Sequence, residues 1–220
     1  MVYLYILGLT IVAYLVGSLP VSIWLAKWYY GIDIRDHGSG RTTHTNVHRV
    51  LGLGSGLLVQ GLDIAKGFLA AKLAWVIHLN SGVTVDLEYF TMMMVFGLAA
   101  ILGHIYPLFA GFRGGKGFHV SLGVLIAVNP IFAAVVAVVS FVIYLLSQIP
   151  RLGFILGAVA VPVFVAVTGS IYGELRIPMM IFSVALALML LISHRQNLQK
   201  IIEGKEAKVP INWPKLPPRF

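Results

Sequence analysis

Long apolar runs alternate with short, sharply polar segments along this chain, and most of the runs are long enough to cross a membrane. A helix needs about 20 apolar residues to span the hydrocarbon core of a bilayer. The runs predict helical spans at Val2–Lys27, Leu57–Leu79, Tyr89–Ala110, Pro130–Gln148, Leu152–Gly169 and Leu175–Ser193. Phe118–Val128 is apolar but too short for a full crossing. It predicts a short tilted helix closed by Asn129-Pro130, because the residue before a proline avoids the α conformation. Counting it gives about seven transmembrane helices in an all-α integral membrane protein. Gly17-Ser18-Leu19-Pro20 looks like the end of a signal peptide. However, the apolar pattern runs on through Trp24 and Leu25 and no basic region precedes it, so a retained first span is expected.

Composition agrees with the pattern. The chain has 220 residues, 59% of them hydrophobic and 11% charged, with a mean hydropathy of +0.91. Soluble domains carry about 25% charged residues, so a soluble enzyme is excluded, and the size suits one helical bundle. There is no cysteine, which removes disulfides and thiol nucleophiles from consideration. The net charge of +8 is unevenly placed. Lys27, Arg35, Arg41 and Arg49 lie in the first polar segment, Arg113 and Lys116 in the second, Arg151 in a short turn, and Arg195, Lys200, Lys205, Lys208, Lys215 and Arg219 towards the end. The connection 80–88 carries Asp86 and Glu88 with no Lys or Arg, and 170–176 pairs Glu174 with Arg176. The positive-inside rule then puts the N-terminus outside and the C-terminus in the cytoplasm, with all the cationic segments on one side. The proline-rich stretch Pro210–Phe220 reads as an irregular cytoplasmic end, with Trp213 available to lie on the bilayer.

The polar segments carry the candidate chemistry. Gly111-Phe112-Arg113-Gly114-Gly115-Lys116-Gly117 packs four glycines and two cations into seven residues between two apolar runs. Glycines give positive φ and open N–H groups, and Arg113 and Lys116 add a planar fork and a point charge, so the loop suits phosphate. The competing reading is close helix packing at a turn, with the cations reaching lipid headgroups. Walker A spacing is absent and no strand precedes the loop, so nucleotide binding is not expected; nor is nucleic acid an expected partner. In the first segment, Gly38-Ser39-Gly40 can form a turn exposing a hydroxyl, with Arg41 and Arg49 clamping an anion. Alternatively, this segment is a solvated loop drawn to anionic lipid. Asp63 and Lys66, three apart within an apolar run, fall on one helical face. An ionised group at mid-bilayer costs roughly 2.5–3.5 kcal/mol, so they are expected to pair structurally, with a proton relay as the alternative. His104 and His119 flank the glycine loop without a metal-ligand spacing, and no metal or cofactor is expected. If the last helix continues past Ser193, His194 and Asn197 share a face and can hold a hydroxyl, or simply cap an amphipathic end.

Taken in order, the segments resemble the bacterial acyl-phosphate:glycerol-3-phosphate acyltransferase family over about residues 10 to 207. The first match runs through Gly17-Ser18-Leu19-Pro20, Asp33-Ile34-Arg35, His37-Gly38-Ser39-Gly40, Thr45-Asn46-Val47 and Arg49. Leu62-Asp63 with Lys66-Gly67 is similar to the family's second-helix signature. Gly103-His104-Ile105-Tyr106-Pro107 through Gly117 is the most specific piece, and His194-Arg195, Asn197, Gly204 and Glu206 complete the set.

The resemblance implies a helical membrane acyltransferase domain over 1–207 with a cytoplasmic tail at 208–220, in the bacterial cytoplasmic membrane. It implies transfer of a fatty acyl group from acyl phosphate to the sn-1 hydroxyl of glycerol 3-phosphate, giving lysophosphatidic acid and phosphate. Carried over, Ser39, Arg49, His194 and Asn197 belong to the catalytic motifs, and Gly111, Arg113, Gly114, Gly115, Lys116 and Gly117, with Arg41 and Asn46, bind substrate phosphate. Asp63, Lys66 and Glu206 are structural. The chain departs from the family pattern GSGN-x-GATN at Arg41, Thr43 and His44. It also carries Phe118-His119 in place of a small pair, and Pro150-Arg151-Leu152-Gly153-Phe154 where the family tends to have serines. Two other classes stay open: a divergent member with another donor or acceptor, and a small anion transporter, which requires functional polar groups near the bilayer midplane.

Overall fold

The computed structural model describes residues 2–81, 87–173 and 177–209. Over these residues the chain is helical, without strands. The helices are α1 (Val2–Ser18), α2 (Val21–Tyr30), α3 (His44–Leu51), α4 (Leu53–Lys72), α5 (Ala74–Ser81), α6 (Leu87–Ile105), α7 (Phe118–Val128), α8 (Pro130–Ser147), α9 (Pro150–Tyr172), α10 (Ile177–Ser193) and α11 (Arg195–Ile202). Short 3₁₀ turns at Ile34–Asp36 and Leu108–Ala110 shape the two polar loops. Asp86, Glu174, Leu175, Arg176 and the tail from Pro210, on which part of the orientation argument rests, lie outside the described residues.

Local chemistry explains where helices stop and start. Pro20 lacks an N–H and restricts Leu19. The first predicted span therefore breaks into α1 and α2, bent by 40°. Asn129 caps α8 by accepting from the Ile131 N–H at 2.9 Å, with Pro130 in the first helical position, and Pro150 starts α9 the same way. The predicted span Leu57–Leu79 also divides: α4 ends at Lys72, where a cation suits a helix C-terminus, and α5 begins after Leu73. The last span does not continue straight past Ser193 but turns by 67° into α11.

Among the described residues, three helical stretches are long and apolar enough to cross unaided: Tyr89–Ala110, α8 and α9. The bent pairs α1–α2 and α10–α11 raise this to five. The expected count of seven additionally included the divided α4–α5 run and the short α7. Large apolar side chains such as Leu7, Ile11, Phe141, Leu146, Ile171 and Ile181 point outward, as a lipid-facing surface requires.

The eleven-residue α7 sits at the centre. Its sequence is apolar nearly all round because neighbours cover nearly all of it, and Val120, Val124 and Leu125 are almost fully buried with Phe96, Met93 and Ile101 of α6. Glycines allow the close approaches. A Cβ on Gly67 of α4 would run into the Val120 carbonyl of α7, and one on Gly123 of α7 into the Ile64 carbonyl of α4. Gly17 and Gly103 join α1 to α6 in the same reciprocal way. Gly67→Ala is expected to destabilise the bundle by about 1–3 kcal/mol, read as a drop of several degrees in thermal midpoint in detergent. Gly8→Ala, where a Cβ meets nothing within 4 Å, is the control that leaves the midpoint in place.

Candidate active site

The first polar segment is folded by two side chains that do not face a ligand. Asp33 accepts from the Arg35 backbone N–H at 3.0 Å and from its guanidinium at 3.0 and 2.7 Å, and Lys27 lies 3.4 Å away. The Arg35 guanidinium holds the Asp33 carboxyl far below the usual carboxylate range. Asn46, 1% exposed, donates through Nδ2 to the carbonyls of Ile34, His37 and Arg41 at 3.2, 3.0 and 3.0 Å. Its Oδ1 accepts from the Ser39 N–H at 2.7 Å. Asn46 thus holds the Gly38–Arg41 turn, with Gly38 and Gly40 at positive φ, and this presents Ser39 and Arg41 to a cavity. Thr43, a departure from the family glycine, caps α3 by accepting from the Asn46 N–H at 3.4 Å.

The glycine loop divides its duties. Gly111 and Phe112 make the turn at φ 62° and 60°. The Gly115 N–H donates to the His104 carbonyl at 3.1 Å, and a Cβ on Gly114 or Gly115 would collide with His104. These two glycines are therefore small so that the loop can lie against α6. Gly117, at φ 85°, starts α7, which has no side-chain cap on its first turn. Lys116 is 8% exposed, and its carbonyl accepts from the Ser193 hydroxyl at 2.8 Å, which ties the loop to the end of α10. Behind it, Lys66 Nζ and Asp63 Oδ1 are 2.9 Å apart, Lys66 also donates to the Leu19 carbonyl at 3.1 Å, and His104 Nδ1 lies 3.6 Å from Asp63.

In the third segment the bend at His194 brings its imidazole and Asn197 together, the Asn197 N–H donating to the His194 carbonyl at 2.8 Å. His194 Nδ1 lies 2.9 Å from the Leu190 carbonyl, an acceptor, so Nδ1 carries the hydrogen and Nε2 is the free lone pair. Burial pushes the imidazole down to about 4, with the nearby Lys116 charge acting the same way, and the ring is neutral at physiological pH. Asn197 Nδ2 donates to both carboxylate oxygens of Glu206 at 3.1 and 3.0 Å, whereas its buried Oδ1 has no partner among the described residues. Arg151 pairs with Glu206, and Arg41 donates to the Gln196 side chain.

These pieces enclose one cavity of about 390 Å³. Ser39, Arg41, Arg49, Lys116, Gly117, His194, Asn197 and Glu206 all line it, and Asp63 reaches it from behind. Gly111, Arg113, Gly114 and Gly115, expected at the substrate phosphate, are not among its lining residues, nor is Asn46, and Lys66, expected to be structural, also stands outside the lining. The lining adds residues not anticipated as site members: His44, Arg151, Phe154, Gln196, Lys200 and Lys205. Arg151 carried a readable signal, because a cation directly after the helix-initiating Pro150 opposes the helix dipole and requires an anion nearby. Among the described residues, six lining cations (Arg41, Arg49, Lys116, Arg151, Lys200 and Lys205) face two carboxylates, of which Asp63 is held by Lys66 and Glu206 by Arg151 and Asn197. Burial pushes Lys116 down to about 7, and Arg41 and Arg151 push the same way. No group of His, Cys, Asp or Glu suited to a metal occurs among the described residues.

Replacing Asn46 tests its scaffold role. Asn46→Ala leaves three carbonyls and one N–H without their partner, at about 1–3 kcal/mol for each group that stays buried. Asn46→Asp is expected to be at least as damaging, since a carboxylate keeps the acceptor for Ser39 but cannot donate to the carbonyls. Thermal unfolding in detergent reads both.

Comparison with known proteins fits this geometry. The family described as glycerol-3-phosphate acyltransferase matches residues 7–204. A glycerol-3-phosphate acyltransferase of Bacillus cytotoxicus is 40% identical over 203 residues, covering 91% of this chain and 93% of the relative. One from Salinibacter ruber is 35% identical over 206 residues, covering 90% of each. The crystal structure of PlsY (YgiH), an integral membrane glycerol 3-phosphate acyltransferase, in its glycerol 3-phosphate form superposes with a TM-score of 0.79 at 33% identity, covering 93% of this chain and 96% of that one. Its lysophosphatidic acid form gives 0.77 at 31% identity, covering 93% and 95%. The chain belongs to the glycerol-3-phosphate acyltransferase family.

Proposed function

We propose that this protein transfers a fatty acyl group from acyl phosphate to the sn-1 hydroxyl of glycerol 3-phosphate, releasing lysophosphatidic acid and inorganic phosphate. The observation that carries the reading is a cavity in which, among the described residues, six cations from sequence-distant segments face two carboxylates that are already engaged. Two phosphate-bearing substrates supply the missing negative charge, and the uncapped first turn of α7 beside Lys116 adds N–H donors suited to phosphate. We place the reaction at the cytoplasmic face of the bacterial inner membrane, the side to which the cationic segments assign it.

The chemistry asks little of the protein beyond placement. The sn-1 hydroxyl oxygen bonds to the acyl carbonyl carbon, and the bond from that carbon to the phosphate oxygen breaks with its electron pair. The departing phosphate takes the hydroxyl proton. Phosphate monoesters have a second ionisation near pH ~6, so the leaving group is a stronger base than His194, held down to about 4. Asn197 Oδ1, open among the described residues, therefore orients the sn-1 hydroxyl by accepting from it until the departing phosphate takes the proton. His194 Nε2 accepts from the neighbouring sn-2 hydroxyl, and the cations hold two dianions at reacting distance against their repulsion.

Purified protein in detergent is expected to release phosphate from palmitoyl phosphate only when glycerol 3-phosphate is present, with lysophosphatidic acid formed in equal amount. Release independent of glycerol 3-phosphate, or consumption of acyl-CoA instead, contradicts the reading. Ser39→Ala and Lys116→Ala should each lower kcat by about 100-fold or more without shifting the thermal midpoint, whereas Asn197→Ala should lower kcat as far and also lower the midpoint, because the Glu206 carboxylate loses two donors.

Lys116 also gives a pH signature. Its resting value of about 7 leaves it largely neutral at pH 8. A bound dianion favours the ammonium, so binding at pH 8 takes up a proton, and affinity falls as pH rises above 7. Below pH 7 the ammonium is already present and the uptake disappears. Calorimetry of glycerol 3-phosphate binding in two buffers of different ionisation enthalpy reads the uptake, and Lys116→Arg, which stays charged, should lose it. Undiminished uptake in Lys116→Arg removes Lys116 from the phosphate site.

A further inference from the structure

Among the described residues, the cavity is polar on every side but one. Phe118 and Phe154 are the only large apolar lining residues there; apart from Gly117 and Ala207, every other described lining side chain is polar or charged. The two rings stack with centroids 4.0 Å apart at 22°. His119 meets Phe118 edge-on at 5.2 Å and Phe154 at 5.9 Å. His44 meets His119 edge-on at 4.1 Å and Phe154 at 6.4 Å. Four rings contributed by α3, α7 and α9 thus form one continuous surface.

The four residues come from three sequence-distant helices and meet in space along one side of the cavity. Burial keeps the His44 imidazole neutral, pushed down to about 4, so this ring adds no charge to the wall at physiological pH.

The wall is joined to the cations in a fixed order. Arg151 and Phe154 are one helical turn apart on α9, and Lys116 precedes Phe118 by two residues at the start of α7. On each element a cation is followed by an aromatic ring. An acyl phosphate has the same order: a phosphate, then the reacting carbonyl, then the first methylenes. Glycerol 3-phosphate is polar throughout and has nothing to place against stacked phenyl rings. We propose that His44, Phe118, His119 and Phe154 form a specificity wall that seats the carbonyl end of the donor's acyl chain and rejects acyl groups branched next to the carbonyl.

This inference rests on the acyl-phosphate reading above. A stacked pair of rings beside the carbonyl would crowd a methyl group there, and one methyl or methylene in an apolar pocket changes kcat/KM by about 10–200-fold. The test compares palmitoyl phosphate with 2-methylpalmitoyl phosphate, using full-length protein in detergent. The native protein should prefer the straight chain by about tenfold or more. Phe154→Ala should bring the ratio of kcat/KM values close to one, by improving use of the branched donor, while the KM for glycerol 3-phosphate does not move. Phe154→Leu, which keeps apolar volume and protects the fold, should give an intermediate ratio. Native protein that shows no preference, or the same ratio in both variants as in the native protein, overturns the wall while leaving the acyltransferase reading intact. Native protein that consumes neither acyl phosphate overturns the acyltransferase reading itself, and the wall with it.

Discussion

Repulsion among like charges is the force around which this bundle is organised. Arg41, Arg49, Lys116, Arg151, Lys200 and Lys205 surround one cavity, and the resting cost shows in Lys116, pushed down to about 7 by burial and by its cationic neighbours. Such crowding persists only if the backbone holds it in place. Gly67 and Gly123 let α4 and α7 approach closely, and the start of α7 in turn fixes Lys116, which directly precedes the N-cap residue Gly117, at the cavity. Asn46 fixes the turn that presents Ser39 and Arg41, and the bend at His194 swings α11 across the remaining side.

The resting state also shows how the cations are kept in readiness. Arg41 rests on a neutral amide, Gln196, and Arg151 on Glu206, which Asn197 shares. Both partners belong to the C-terminal segment, so the same interactions that park the arginines hold that segment against the cavity. An incoming phosphate competes with Gln196 for Arg41 on favourable terms, because a charge-assisted bidentate contact is stronger than one to a neutral carbonyl.

Much of this was legible in the sequence, and the gaps have physical causes. Apolar run lengths identified an all-helical membrane protein, and three polar segments in a particular order indicated where the site would be assembled. Helix divisions at Leu73 and His194 were not visible, because the apolar pattern runs across the first and a helical continuation was equally compatible with the second. The glycine loop shows why residue type alone cannot assign a role. Gly114 and Gly115 look like a phosphate cradle but are small because His104 lies against them, and only Lys116 and Gly117 reach the cavity. Asn46, expected at the phosphate, has its Nδ2 hydrogens and its Oδ1 engaged by the backbone of its own segment. Arg151, passed over in a short turn, stands in the wall opposite the motif residues.

The central claim is that one cavity holds both phosphates at once. A structure of the protein with glycerol 3-phosphate and a non-hydrolysable acyl phosphonate bound together tests it most directly. The account predicts both phosphorus atoms inside the space bounded by Ser39, Lys116 and Asn197, with the sn-1 hydroxyl near Asn197 and the acyl carbonyl beside Phe154. Phosphorus atoms in separate cavities, or either anion bound away from Lys116, would contradict it.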